Sequence, residues 1–163
     1  MRYIRDAYYK IRSKIVGFVL PRRSPKVHLG NGFSITNSVI NYRGGELTIG
    51  DRFFMNRNSS INCHYKVTIG KACLIGENVH IYDHNHVFKE LDTPVAAQGF
   101  SCKEVVIGDY CWICTGVTIL GGVHIGNNCI IGAGCLIYRD IPDNTIVKSR
   151  QDLLMEQRSG DVT

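Results

Sequence analysis

Isoleucine returns along this chain at intervals of six. From Ile107 the series runs Ile107, Ile113, Ile119, Ile125, Ile131, Ile137; upstream it reads Ile69, Ile75, Ile81, then Ile49, Met55, Ile61, then Leu29, Ile35, Asn41. These fifteen positions hold twelve of the nineteen isoleucines, where random placement would put about two. A period of six has no use on a helix of 3.6 residues per turn. It suits a parallel β-helix, in which each hexad is a short flat strand and three strands close a triangular coil. Stacked coils set equivalent residues about 4.8 Å apart, joined by backbone hydrogen bonds, with the isoleucine column facing the axis. A β-sandwich is the other all-β option, but its strands alternate with period two and break at irregular turns.

Two further positions follow the same period. Glycine stands after the periodic residue at 30, 50, 70, 76, 108, 126 and 132, where a sharp corner favours backbone angles that other residues resist. Small apolar residues stand two before it: Cys73, Val79, Cys111, Val117, Val123, Cys129 and Cys135, as core filler beside each isoleucine. The blocks 29–46, 49–66, 69–81, 107–124 and 125–142 predict about five coils. Steps of eight residues from 41 to 49 and from 61 to 69 predict small corner insertions. The step from 81 to 107 predicts one long loop, 82–106, leaving the prism, and function concentrates on such loops.

The 163 residues make one β-helix domain over 27–146 with two appendages. Residues 1–26 hold eight Lys or Arg and one acid, Asp6; the remainder is slightly acidic. Within 3–19, Ile4, Tyr8, Ile11, Ile15 and Val19 fall at helical spacing, so a basic amphipathic helix is predicted, ending before Pro21. It either caps the open end of the prism or makes a peripheral contact with an anionic membrane surface. The polar tail, 147–163, starts as a short helix and frays. No segment has the length of a membrane span. Seven cysteines, four of them in the inward slot, argue against disulfides and zinc and for a reducing cytoplasm. Basic and aromatic residues form no interleaved groove motif, so no nucleic-acid partner is expected.

Candidate chemistry gathers where the period stops. Asp83, His84, Asn85 and His86 open the long loop. Histidine titrates near neutral pH and serves unaided as a general base toward a hydroxyl; Asp83 or Asp92 could hold its tautomer. Asp83, His84 and His86 could instead hold a metal, although a third protein ligand is not evident, or the histidines could be solvated loop residues. His80 and His124 precede periodic residues and face outward, His28 reads as edge or solvent, and His64 sits in a corner insertion beside a cleft.

The segment IGDYCWICTGVTILGGVHIGNNCIIGAGCLIYRDIPDN resembles the last coils of hexapeptide-repeat acyltransferases, within the galactoside, maltose and xenobiotic acetyltransferase branch, and short glycan O-acetyltransferases of that branch carry a similar DHNH turn. The resemblance covers about residues 29–150. It implies a left-handed coil, a homotrimer with sites between adjacent prisms, and acetyl-CoA as donor with no metal. In that register His86, seventeen residues after Ile69, is the base, with His84 the alternative; Asp83 is the carboxylate beside them, and Asp92 stays open as the orienting group. Asn56 matches an acceptor-binding Asn, and His64 stands where the branch has an acceptor-binding Asp. His84 and Asn85 join them on the acceptor side. On the donor side the resemblance places Trp112 as a cleft wall, Thr115 and Ala133 beside the pantetheine arm, and Tyr138 and Arg139 after them; Lys148 and Arg150 are cationic candidates for the 3′-phosphate. The implied reaction is direct transfer of acetyl to a hydroxyl of a sugar or surface polysaccharide. An N-acetyltransferase for amino-sugar nucleotides and a carbonic-anhydrase-like zinc β-helix are the rival readings.

Overall fold

The computed structural model describes residues 24–150. Residues 3–19, for which a basic amphipathic helix is predicted, and the segment beyond Arg150 lie outside the described residues. Within them the chain winds into an all-β parallel solenoid of three sheets. The first coil is β1 (Val27–Leu29), β2 (Ser34–Ile35) and β3 (Val39–Tyr42); the second is β4 (Glu46–Ile49), β5 (Phe54–Met55) and β6 (Ser60–Cys63). The third is β7 (Lys66–Ile69), β8 (Leu74–Ile75) and β9 (His80–Tyr82). A hairpin of β10 (His84–His86) and β11 (Phe100–Cys102) then interrupts the winding. The fourth coil is β12 (Val105–Ile107), β13 (Trp112–Ile113) and β14 (Thr118–Ile119), and the fifth is β15 (His124–Ile125), β16 (Ile130–Ile131) and β17 (Leu136–Ile137). A sixth coil begins where Ile141 bridges Ile125 and β18 (Ile146–Val147) pairs with β16. The count is therefore about six rather than five, because Ile141 and Val147 continue the stack off the six-residue beat.

Periodic residues stack in register: Ile49 on Ile69 on Ile107 on Ile125, and Met55 on Ile75 on Ile113 on Ile131. They and the residues two before them fill one continuous core, with Leu47, Phe53, Val67, Val79, Val105, Val117 and Cys129 all but inaccessible. One position in the sequence frame is wrong. Ile40, not Asn41, pairs with Ile61, and Asn41 is exposed, because the first coil is one residue short between β2 and β3.

The corner glycines serve a different purpose from the expected one. Gly50 has an ordinary φ, but a Cβ there would lie 2.6–2.8 Å from backbone atoms of Gly70 and Lys71 on the next coil. Glycine is required by the closeness of the coils, not by the angle. The left-handed residue comes two positions later: Arg52, Asn58, Ala72, Asn78, Tyr110 and Asn128 all have φ between 53° and 58°. Asn and Gly recur there because they tolerate that region best.

The coils are near-uniform at two edges of the prism and irregular at the third, where sheet β3–β6–β9–β14–β17 hands over to sheet β1–β4–β7–β12–β15. Arg43–Gly45, His64–Tyr65 and the whole hairpin leave the prism at this edge.

Replacing Ile113, wholly buried, by Ala is expected to cost about 2–5 kcal/mol in urea unfolding, whereas Leu136→Ala on the outer face should cost less than about 1 kcal/mol. Equal costs would contradict the inward assignment.

Candidate active site

The long loop is an ordered antiparallel hairpin. His84 faces Cys102, Asn85 faces Ser101 and His86 faces Phe100. Its neck closes where the Lys103 N–H donates to the Asp83 carbonyl at 2.7 Å. Its tip is tied by Gln98, whose Oε1 accepts from the Glu90 N–H at 3.0 Å and whose Nε2 donates to the Glu90 and Thr93 carbonyls at 2.8 and 2.7 Å. No hydrophobic alternation announced these strands, since most of their residues are exposed and pack on no core.

Asp83 is wholly buried at the neck. Its Oδ1 accepts from the His64 N–H at 3.0 Å and Oδ2 from the Tyr65 N–H at 2.7 Å. These N–H groups belong to the inserted corner and have no ladder carbonyl to meet. Asp83 supplies it from the coil above, as a buried carboxylate must be hydrogen-bonded. The third partner of Asp83 is His84 Nδ1, at 2.9 Å. The expectation that Asp83 orients His86 is thus corrected: its carboxylate reaches the adjacent ring at the hairpin neck and is filled there. Asp92 is exposed on the hairpin and bonds neither imidazole among the described residues.

The His84 ring is held in place by the carboxylate and by stacking. His64 lies over it with centroids 3.5 Å apart and planes within 10°. Phe100 meets both rings edge-on, at 4.7 and 5.3 Å. Burial lowers the His64 pKa, and the facing His84 lowers it further. His86 is different. Its ring rests against Phe100, 4.6 Å between centroids, and stands exposed. Alternation does put 84 and 86 on the Phe100 side of the strand, as expected from their spacing. Asn85 is exposed and its Oδ1 accepts from the His86 N–H. The three residues border an open groove of about 650 Å³ whose other walls include Tyr82, Phe88, Lys103 and Leu120.

The remaining candidates divide between two edges. Tyr138 and Arg139 lie on the hairpin's edge, two coils on, and both are exposed. Asn56, Thr115, Ala133 and Lys148 lie on the next edge, after β5, β13, β16 and β18 respectively. There Asn56 stacks under Gly76, then Cys114, Gly132 and Lys148. Arg150 follows on that last coil, exposed. The Asn56 side chain is occupied by the Arg57 N–H. Trp112 is half-exposed on the outer face of the adjoining sheet, between Leu74 and Ile130. A single prism therefore does not bring Asn56, Thr115 or Ala133 to His86.

All seven cysteines are free thiols. Burial, helped by the Asp83 charge, pushes Cys63 up to about 12, and burial also raises Cys102, Cys114, Cys129 and Cys135. Only Cys73 is lowered, by a hydrogen bond from Cys111 inside the core. Such thiols make poor nucleophiles. Among the described residues, no three His, Cys, Asp or Glu side chains are placed to hold a metal ion together.

The family model for the bacterial transferase hexapeptide (six repeats) matches residues 104–139. The chain carries this hexapeptide repeat and is similar to hexapeptide-repeat acetyltransferases. It is 41% identical over 104 residues to a putative acetyltransferase of Saccharomyces cerevisiae, covering 63% of this chain and 52% of the yeast protein. A crystal structure of a hexapeptide-repeat acetyltransferase from Vibrio cholerae, complexed with acetyl coenzyme A, is similar with a TM-score of 0.62 and 31% identity, over 73% of this chain and 64% of that one. A galactoside acetyltransferase in complex with coenzyme A gives a TM-score of 0.65 at 27% identity, over 86% of this chain and 76% of that one. The chain spans about half the length of the curated relatives it matches.

The depressed His64 pKa has a consequence for stability. Between that value and the ordinary one near 6.5, the unfolded chain binds more protons than the folded one. Stability is full above the ordinary value and is lost as pH falls through the window. The urea midpoint is expected to drop between about pH 7.5 and about pH 5.5, and His64→Gln should shrink that drop. An unchanged drop in the variant would place the sensitivity elsewhere.

Proposed function

We propose that this chain transfers an acetyl group from acetyl-CoA to a hydroxyl of a sugar or glycan, as a left-handed β-helix assembled into a homotrimer. The observation that carries the reading is His86: an exposed imidazole, held by an ordered hairpin at the mouth of a groove, on a solenoid similar to one solved with acetyl coenzyme A. A base has to touch its substrate, and His86 is the exposed ring of the three.

His86 removes the proton from the acceptor hydroxyl as its oxygen attacks the thioester carbonyl. A backbone N–H of the prism wall stabilises the oxyanion. As the C–S bond breaks, His86 returns the proton to the departing thiolate. Thr115, Ala133, Tyr138 and Arg139 line the pantetheine path, Trp112 walls it, and Lys148 and Arg150 meet the 3′-phosphate. Asn56 and His64 act on the acceptor side. Because Asn56, Thr115 and Ala133 sit on a different edge from His86, the complete site is built between two copies. The exposed column Phe54, Leu74, Trp112 and Ile146 on one sheet supports such packing. The Asp83–His84 hydrogen bond favours a second reading, with His84 as base.

Measured as thiol release from acetyl-CoA over a panel of sugar acceptors, His86→Ala is expected to lower kcat by about 10²–10⁴ while CoA binding persists. Near-wild-type turnover in this variant, together with its loss in His84→Ala, would move the base to His84. Release with amino-sugar nucleotides alone would replace O-transfer by N-transfer.

A further inference from the structure

The groove has one unbalanced property, its charge. Asp83 is the only carboxylate among the residues that line it, and Asp83 is wholly buried with both oxygens already engaged. Lys89 and Lys103 line the same groove, both exposed, and neither is in an ion pair among the described residues. Three other cations are paired, Arg57 with Glu77 at 3.2 Å, Lys66 with Glu104 at 3.4 Å and Lys71 with Asp109 at 3.4 Å, whereas this groove gathers two that are not. Glu104, adjacent to Lys103 in the chain, turns to the other side toward Lys66 and His124. Arg43, exposed on the same edge, lies near enough for its charge to act on His64. Glu90 and Asp92 belong to the hairpin but do not line the groove.

Lys103 is also held in place at its base. Its N–H is tied to the Asp83 carbonyl at the hairpin neck. Its stem lies over Gly122, where a Cβ would come within 3.0 Å of the Lys103 Cδ. A side chain anchored at its root loses less freedom on gripping a ligand. Unpaired cations in a concave site raise the local potential and concentrate anions. Tyr82, Phe88 and Leu120 give the groove an apolar wall, suited to the C–H face of a pyranose.

We propose that the groove beside His86 selects an acceptor sugar bearing an anionic group, a carboxylate or a phosphate, which Lys103 and Lys89 grip. This rests on the acetyl-transfer reading for the identity of the groove as the acceptor side. The cations assigned above to the donor's 3′-phosphate, Lys148 and Arg150, lie on another edge of the prism, and saturating CoA in the test keeps the donor's own phosphates out of the comparison.

The test is calorimetric titration of the full chain at saturating CoA with methyl glucoside, glucuronate and glucose 1-phosphate. At least one anionic sugar is expected to bind about tenfold or more tighter than methyl glucoside, and added salt should erode that advantage. Lys103→Gln and Lys89→Gln should each reduce the advantage of the anionic sugar over methyl glucoside severalfold; both replace exposed side chains, so folding is not at stake. Preference for glucuronate assigns a carboxylate, and preference for glucose 1-phosphate a phosphate. Equal affinity for charged and neutral sugars overturns the proposal. So does an advantage that survives both substitutions, or no binding of either anion at about 10 mM. Failure of the acetyl-transfer reading shows separately, as absence of thiol release with every acceptor while anion binding remains.

Discussion

Everything in this molecule is subordinate to the rung spacing of stacked coils. Backbone hydrogen bonds hold each coil about 4.8 Å above the last, so each must nearly reproduce the path of its neighbour. At the corner before β5 the approach is so tight that Gly50 has no room for a Cβ. Two residues on, Arg52 must turn through the left-handed region, and Asn58 and Asn78 do the same at the next corner. Inside, most strands set one branched residue beside one smaller one, as Ile113 with Cys111 and Ile119 with Val117, while Met55 is accompanied by the large Phe53. Extra chain can be accommodated only where it leaves the tube, and it does so at one edge.

That concentration of irregularity builds the site. The inserted corner His64–Tyr65 leaves two N–H groups without a ladder partner, and Asp83 of the following coil accepts both. The same carboxylate takes His84, and His84 stacks on His64. One buried charge thus joins two coils and the hairpin neck, and the aromatic stack it organises supports Phe100, against which His86 rests. The consequence is a division of labour between neighbouring histidines: a fixed, covered pair and one ring left open to a groove. Lys89 and Lys103 remain exposed at the groove, while Asp83, its one carboxylate, is buried and engaged by the fold.

The candidate residues are divided between two edges of the prism. In an isolated prism, Thr115 and Ala133 and the hairpin face different directions. Two prisms side by side can bring one edge of each together, and the exposed column of Phe54, Leu74 and Trp112 on one flat sheet offers an apolar surface for the purpose.

From the sequence alone one can read the solenoid, its inward residues, the place where the long excursion leaves and the histidines that open it. Those features repeat: each hexad states its own requirement, and Ile at one position with Cys or Val two before it is a local demand renewed in every coil. The fine register of the first coil was lost because Asn41 kept the beat while Ile40 kept the contact. The reason for the corner glycines is not legible in the sequence, because close approach is a property of two coils, not of one. What tertiary structure alone decided was partnership. That Asp83 serves His64, Tyr65 and His84 rather than His86, that Gln98 ties the hairpin tip, that Lys66 has a counter-ion and Lys103 has none among the described residues, and that Asn56 and His86 occupy different edges are relations between residues whose separation follows no period. A repeating pattern encodes the rung, but a side chain finds its partner only when the stacked coils have brought distant segments to hydrogen-bonding distance.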